Sequence, residues 1–234
     1  MTRLRSSLAS CSLLVLSACA GLTDRQDAPS IKTTGQPRGT TASNEAQLYL
    51  SIVDGLENES RYGAALSFLE SYAQCREPAT PRYWFLRASA ELGLGRNQDA
   101  LASFARLDNT PLAGQGWNGR GRLAAARQDW QTAAENFQHA IESDPTNANF
   151  LNNLAFADMH LGKADNSAMW LRQAHELNPG SELIRNNLIM ALTLTGDQQG
   201  ADGLIAAISD PAHRDAVRTS VQSTIASTRE SSIT

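Results

Sequence analysis

The sequence predicts an all-α protein made of about five helix pairs and closed by one more helix at the C-terminus. Three observations support this fold class. Apolar positions recur with a period close to 34 residues, a small residue recurs at a fixed place in the period, and glycine or proline follows the apolar segments. The periods start near residues 46, 81, 114, 148 and 182, which are 35, 33, 34 and 34 residues apart.

Within each period, a small residue lies where the second helix of a pair must approach the first helix closely. A larger side chain there would force the helices apart, and such overpacking costs about 1–3 kcal/mol. These small residues are Ala65, Ala100, Ala133 and Ser167, each followed four places later by an aromatic residue or leucine. This period and alternation resemble the tetratricopeptide repeat, and the resemblance implies a right-handed α-solenoid that binds other proteins.

The connections also follow the repeat. Glycines suited to a left-handed helix C-cap lie between the two helices of three pairs, at Gly95, Gly162 and Gly196. The repeat from Gly114 has Gln128 near this place instead. Pro145 and Pro179 prevent the second helices of two pairs from continuing.

The N-terminus has the pattern of a bacterial lipoprotein signal peptide over residues 1–18. Arg3 and Arg5 precede a short apolar segment at residues 8–16, and Leu-Ser-Ala-Cys at residues 16–19 matches the lipobox. The apolar segment is too short to span a membrane as a mature helix. The resemblance implies cleavage before Cys19, a diacylglycerol on its sulfur and acylation of the new N-terminus, for example with palmitate.

Two or three acyl chains anchor a protein stably, whereas one gives only marginal binding. The residue after Cys19 is Ala20 and not aspartate. By the sorting rule of such lipoproteins, this favours the outer membrane, with the protein facing the periplasm. Ordinary secretion with an incidental Cys19 is the alternative.

Composition limits the partners. Removal of residues 1–18 takes away two arginines and no acid, so the formal charge moves from −4 to −6. A mildly acidic protein lacks the positive patch that nucleic acid requires, so we expect no nucleic-acid partner. After processing, Cys75 is the one cysteine left besides Cys19, and it has no partner for an internal disulfide.

These patterns divide the chain into segments. Residues 19–44 are the lipidated cysteine and a polar tether that buries too little apolar surface to fold. The solenoid covers residues 45–210, a capping helix covers 212–229, and 230–234 form a frayed tail. The expected repeats are 46–80, 81–113, 114–147, 148–181 and 182–211.

In the repeat family that the chain resembles, positions 2, 5, 9, 12 and 13 of the first helix face a concave groove. Position 5 is asparagine in three successive repeats, at Asn118, Asn152 and Asn186. An asparagine amide has two donors and an acceptor, so it pairs with an extended peptide whatever the peptide's side chains are. The alternative is a wetted polar surface without a ligand. Asn153 and Asn187, at position 6, match a frequent consensus residue, which favours a structural role.

Four further groove residues complete the predicted peptide-binding site. Arg122 and His160 lie near the asparagines, and Phe156 and Met190 offer apolar contact. Repeats that capture a C-terminal carboxylate usually combine basic residues with asparagine. Because only Arg122 and Arg82 are basic here, such a clamp is not favoured.

The sequence shows no catalytic pattern. The four histidines are scattered and no cysteine pair is available for zinc. The glycine-rich residues 114–121 lie at the start of a repeat helix, where small residues permit close packing, and no Gly-Lys-Ser/Thr follows. We therefore expect a protein that is not an enzyme, with no cofactor, metal or small-molecule substrate.

The segments 152–157 and 161–162, with 185–188 one period later, give a narrower resemblance. With the lipobox and tether, they look like the TadD lipoprotein family of the tight-adherence (Flp) pilus system, over roughly residues 81–210. This resemblance implies a scaffold that helps to assemble or position an outer-membrane secretin and pilus components. The alternatives are a pilotin for another type IV pilus or secretion secretin, and an envelope adaptor that recruits peptidoglycan hydrolases or proteases.

Overall fold

The computed structural model describes residues 38–75 and 80–231, and the side chains of residues 46–73 and 80–223. The predicted signal peptide, the lipidated Cys19, tether residues 20–37, the side chain of Cys75 and residues 232–234 lie outside this part.

The described residues form eleven α-helices and no strand. In chain order the helices are α1 Arg38–Asn58, α2 Tyr62–Cys75, α3 Pro81–Gly93, α4 Asn97–Ala105, α5 Ala113–Ala126, α6 Trp130–Ser143, α7 Ala148–His160, α8 Ala164–Leu177, α9 Glu182–Thr195, α10 Gln198–Ala206 and α11 Pro211–Ser231.

The first ten helices form five pairs, here called repeats one to five, and α11 packs on α9 and α10. First helices contact each other across repeats, in the pairs α3–α5, α5–α7 and α7–α9. Within the described residues, no second helix has a comparable contact with the next second helix. The first helices therefore lie closer together than the second helices and line the inner face. The prediction of a tetratricopeptide-repeat solenoid with a capping helix is confirmed.

Polar side chains fix where several helices begin. The side chain before the helix accepts a hydrogen bond from a backbone N–H of the first turn, which satisfies a donor that has no partner inside the helix. These capping residues are Thr80 for α3, Asp129 for α6, Asn147 for α7, Ser181 for α9 and Asp197 for α10.

The turn within each repeat requires one residue with a left-handed backbone. Gly95, Gly162 and Gly196 have φ of 72°, 73° and 82°, as the sequence predicted. At the same place, the first repeat has Ser60 with φ 57° and the third has Gln128 with φ 60°. The repeat thus imposes this geometry even without glycine, at an energetic cost to an L-residue.

The small positions pack as expected. Ala65, Ala100, Ala133 and Ser167 have no exposed surface, and the larger residues that follow them four places later are buried too. The core is continuous from Ala124 to Val221 across the last three repeats and α11. This packing holds the first helices in the register that forms the inner face.

The ends of the array differ from expectation in length. Helix α1 begins at Arg38, so it includes residues 38–44, which we assigned to the tether. Proline at position 37 suits the start of a helix, and no proline or glycine pair interrupts the segment that follows. Helix α11 runs over Pro211–Ser231.

Candidate protein-binding groove

The asparagines of the inner face form a continuous chain of amides. Asn153 Nδ2 donates to Asn118 Oδ1 at 2.8 Å, and Asn187 Nδ2 donates to Asn152 Oδ1 at 2.8 Å. Asn152 Nδ2 lies 3.4 Å from Asn153 Oδ1, which joins the two bonds. Asn152 is only 5% exposed. The structure therefore gives Asn118 and Asn152 partners inside the protein, through the position-6 asparagines of the next repeat.

Asn186, the last of the three predicted groove asparagines, differs from the other two. Its Oδ1 is buried and has no hydrogen-bond partner within the described residues. In the earlier repeats, the partner of this atom is an asparagine 35 residues further along the chain. At that distance from Asn186 lies Val221 of α11, which is buried and has no side-chain donor. The pattern of hydrogen bonds from position 6 to position 5 thus stops before Asn186, whose acceptor has no donor among the described residues.

A cavity of about 660 Å³ opens beside this acceptor, between α7 and α9. Its wall is mostly apolar and includes three of the predicted groove residues, Phe156, His160 and Met190. The other residues that line it are Met159, Gly162, Ala164, Asn186, Asn187, Leu194 and Ser220. A cavity of this size and character accepts a bulky apolar side chain together with part of its backbone.

Two of the lining residues, Phe156 and His160, belong to an aromatic cluster whose third member, Trp130, packs behind them. The rings of Trp130 and His160 stack with their centroids 3.8 Å apart and an interplanar angle of 2°, and the edge of Phe156 contacts both. Desolvation lowers the pKa of His160, so its imidazole is neutral at neutral pH. Phe156 remains 41% exposed. The part of Trp130 in this cluster was not predicted; the one signal in the sequence is an aromatic residue two places after Gln128.

Arg122 is the free cation of the groove. It is exposed on α5, and it makes no hydrogen bond or ion pair with the described residues. It lines a second cavity of about 230 Å³, beside Asn118 and Phe85. In contrast, Arg82 pairs with Asp54. At the groove positions of α3, α5, α7 and α9, the sequence has no aspartate or glutamate.

Other polar clusters hold the repeats together. Buried Glu91 accepts hydrogen bonds from Arg87 Nε at 2.8 Å and from Ser103 Oγ at 2.7 Å. Asp158 lies 3.7 Å from Lys163 Nζ, and burial raises the pKa of its carboxyl. Among the described residues, no group of three or more histidine, cysteine, aspartate or glutamate side chains is placed to hold a metal. None of the described helices combines the length and apolarity needed to cross a membrane.

Comparison with known proteins agrees with this architecture. The model of the family described as tetratricopeptide repeat matches residues 52–116 and 118–182. The TPR repeat-containing protein PA4299 of Pseudomonas aeruginosa is 31% identical over 193 residues, which cover 82% of this chain and 73% of that protein.

Two solved structures show the same fold. The thermophilic TPR protein TTC0263 of Thermus thermophilus is 22% identical and has a TM-score of 0.60, with 76% of this chain and 98% of that chain covered. MamA from Desulfovibrio magneticus RS-1 is 18% identical with a TM-score of 0.55, over 75% of this chain and 96% of that chain. The family match covers more than half of the chain, and tetratricopeptide repeats act as scaffolds for protein–protein interaction. This chain therefore belongs to the tetratricopeptide-repeat family.

Proposed function

We propose that this protein is an outer-membrane lipoprotein whose repeat groove holds a segment of a partner during assembly of a pilus or secretion machinery. The partners would be the secretin or other components of a tight-adherence (Flp) pilus. The protein acts by binding and carries out no reaction. One observation carries the proposal: a lipobox cysteine, Cys19, precedes a repeat array whose groove has an unpaired arginine and an open apolar cavity.

The lipid anchor gives the groove its place of action. Acylation of Cys19 restricts the scaffold to the membrane surface, which raises its effective concentration near membrane partners. The residues that follow Cys19 are mostly polar in composition and supply a length of chain between the lipid and the repeats. The resemblance of segments 152–157 and 185–188 to the TadD family is the reason for choosing a pilus secretin as partner.

The proposal is tested by crosslinking the protein in native membranes, purifying it in detergent and identifying the proteins recovered with it. Recovery of a tight-adherence secretin or its neighbours, and loss of these pili in a deletion strain, is the expected result. Recovery of a different secretin would identify a pilotin of another system. Recovery of peptidoglycan hydrolases or proteases, with pili intact, would replace the proposal with an envelope adaptor.

The membrane anchor has its own test. Cys19→Ser removes the acylated sulfur, so the variant should leave the outer-membrane fraction. Cys11→Ser is the matched control, because Cys11 lies inside the apolar segment of the signal peptide and should not affect the final location. Outer-membrane fractionation of Cys19→Ser at the wild-type level would contradict the lipoprotein assignment.

A further inference from the structure

We infer that the groove is built for an extended peptide with a bulky aliphatic side chain at one end and an aspartate or glutamate side chain at the other. The aliphatic side chain enters the cavity between α7 and α9, and the carboxylate pairs with Arg122 on α5. This inference rests on the proposed function, because it assigns the partner chemistry of the same groove.

The α9 end of the groove selects an apolar side chain. Phe156, Met159, Met190 and Leu194 line the cavity of about 660 Å³, and its rim has no acidic or basic side chain apart from the neutral His160. Methionine and leucine side chains adapt to aliphatic partners, and the lining His160 is held in place by stacking on Trp130. A charged side chain would lose its hydration there without gaining an ion pair.

The backbone of the peptide has a partner beside this cavity. Asn186 Oδ1 is buried and unpaired, although the equivalent atoms of Asn118 and Asn152 each accept an amide donor. Asn186 also lines the cavity, so a small rotation of its side chain exposes this oxygen to a peptide N–H, the kind of donor that position 6 provides within the array. Since an unpaired buried acceptor is unfavourable, occupancy by a peptide removes a cost that the free protein bears.

The α5 end selects a negative charge. Arg122 is exposed and unpaired, and the groove positions of the four first helices around it carry no acid that could neutralise it. Over the whole chain acidic residues outnumber basic ones by 24 to 20, whereas the groove positions of these four helices carry Arg82 and Arg122 and no acid. A carboxylate on the partner complements this charge.

The geometry sets the spacing of the two features. The cavity lies between α7 and α9, about one and a half helix spacings from α5; since packed helices are about 8–10 Å apart, the two features are separated by about 12–15 Å. An extended chain advances about 3.3 Å per residue, so the carboxylate lies about four residues along the peptide from the aliphatic side chain.

The test is selection of binders from a phage library of random 12-residue peptides against the full chain in mild detergent. In this library the C-terminus of each peptide is fused to the coat protein, so every carboxylate near a binding motif is a side chain. We expect selected peptides to be enriched several-fold over the starting library in an aliphatic residue about four positions from an aspartate or glutamate. Absence of binders, or binders without acid, would overturn the inference.

Matched variants then locate the two ends. Arg122→Glu should weaken a selected peptide about tenfold or more, whereas Arg127→Glu, the same charge change just after the end of α5, should not. Met190→Ala should weaken it also, whereas Met169→Ala, at an exposed methionine of α8, should not. Helicity and melting temperature of each variant are measured alongside. Equal loss in Arg122→Glu and Arg127→Glu would contradict the charge pairing.

The two proposals fail separately. If acidic aliphatic peptides bind as expected but no secretin is recovered from membranes, the inference stands and the pilus function fails. If a secretin is recovered but the selected peptides lack acid, the function stands and the assignment of the groove chemistry is wrong.

Discussion

The repeats are joined in two different ways along the inner face. Between the second and third repeats, position 6 is Gly119, and the ring of Phe104 from α4 occupies the space of the missing side chain. Between the later repeats, position 6 is Asn153 or Asn187, which donates a hydrogen bond to the previous repeat. A Cβ added at Gly119 would overlap the Phe104 ring, so the junction of the second and third repeats depends on the absence of a side chain at this position.

The difference between the two kinds of junction determines which repeat has a hydrogen-bond acceptor without a donor. The junction at Gly119 is made by packing a ring against a glycine, so it involves no side-chain group that needs a hydrogen-bond partner. A junction made by asparagines uses one acceptor from each repeat, so the last repeat keeps an acceptor with no donor. Asn186 is that acceptor, and it lies beside the largest apolar cavity described above. We therefore place the proposed peptide at the end of the polar series.

The largest expected effect comes from removing the Phe104 ring, which lies between the second and third repeats. Phe104→Ala should lower the free energy of unfolding by about 3–5 kcal/mol, because Phe104 is almost completely buried and its loss leaves a cavity against Gly119. Urea unfolding followed by circular dichroism measures this change. Phe68→Ala, at a 40% exposed phenylalanine of α2, is the control and should cost much less. Similar losses in both variants would refute the importance of this packing.

The glycine side of the same junction is tested by adding one methyl group. Gly119→Ala should destabilise the protein by about 1–3 kcal/mol, since the methyl overlaps the Phe104 ring. Gly55→Ala should instead stabilise it by about 0.5–1 kcal/mol, because Gly55 also lies within a helix but a Cβ there meets no atom within 4 Å. The same sign of change in both variants, measured by urea unfolding, would contradict the comparison.

Removing a hydrogen bond from one of the asparagine junctions should lower the free energy of unfolding by less than removing Phe104, but by a measurable amount. Asn187→Ala leaves the buried Asn152 Oδ1 without its donor, which should cost about 1–2 kcal/mol. Asn166→Ala, at an exposed position of α8, should change stability by less than about 0.5 kcal/mol. If thermal unfolding gives the two variants the same stability, the amide chain does not contribute to the array.

A smaller effect of opposite sign, a gain in stability, is expected from placing glycine at the left-handed turn of the third repeat. Gln128→Gly should stabilise the third repeat by about 0.5–1 kcal/mol, because glycine adopts the observed φ of 60° without strain. The reciprocal Gly162→Gln should destabilise the fourth repeat by about 1 kcal/mol or slightly more. A loss of stability in Gln128→Gly would show that the glutamine side chain has a role of its own.

Near the junction of the first two repeats, one buried carboxyl group makes the stability of the fold depend on pH. Burial and the nearby Asp54 raise the pKa of Glu57 to about 8, while Arg82 opposes the shift, and Glu57 Oε1 is buried without a partner among the described residues. The folded state therefore binds this proton more tightly than the unfolded state, whose carboxyl titrates near 4.5. Stability from this group is complete below pH 4.5 and is lost as pH rises through about 8.

Glu57→Gln removes this titration. The variant should raise the melting temperature at about pH 8.5 more than at about pH 5, because the wild type is ionised in its buried site only at the higher pH. Glu59→Gln, at the more exposed glutamate two residues away, is the control. An equal change at both pH values for Glu57→Gln would contradict the raised pKa.

The period alone was enough to predict the helix pairs, their small contact positions and the glycine turns, because these features are local and repeat in register. It also placed Phe156, His160 and Met190 on one face, and they line one cavity. The hydrogen bonds of the asparagines were not predictable from spacing. Asn118 and Asn152 accept from side chains 35 residues away, and this depends on the rotation between successive repeats.

Two other features required the structure. Trp130 stacks on His160 because the turn at Gln128 directs the start of α6 toward the end of the next first helix, although the two residues are distant in the sequence. The early start of α1 at Arg38 was missed because the composition of residues 38–44 is polar, and a polar composition does not prevent a helix that is anchored by its later turns.

The most direct test of the account is site-specific photocrosslinking in growing cells, with a photoreactive amino acid in place of Phe156 in the groove or of Met169 on α8. Both side chains are exposed to a similar degree, at 41% and 50%. We expect a discrete crosslinked partner from position 156 and none from position 169. A partner captured from position 169 alone, or equally from both, would show that the protein does not bind its partners through this groove.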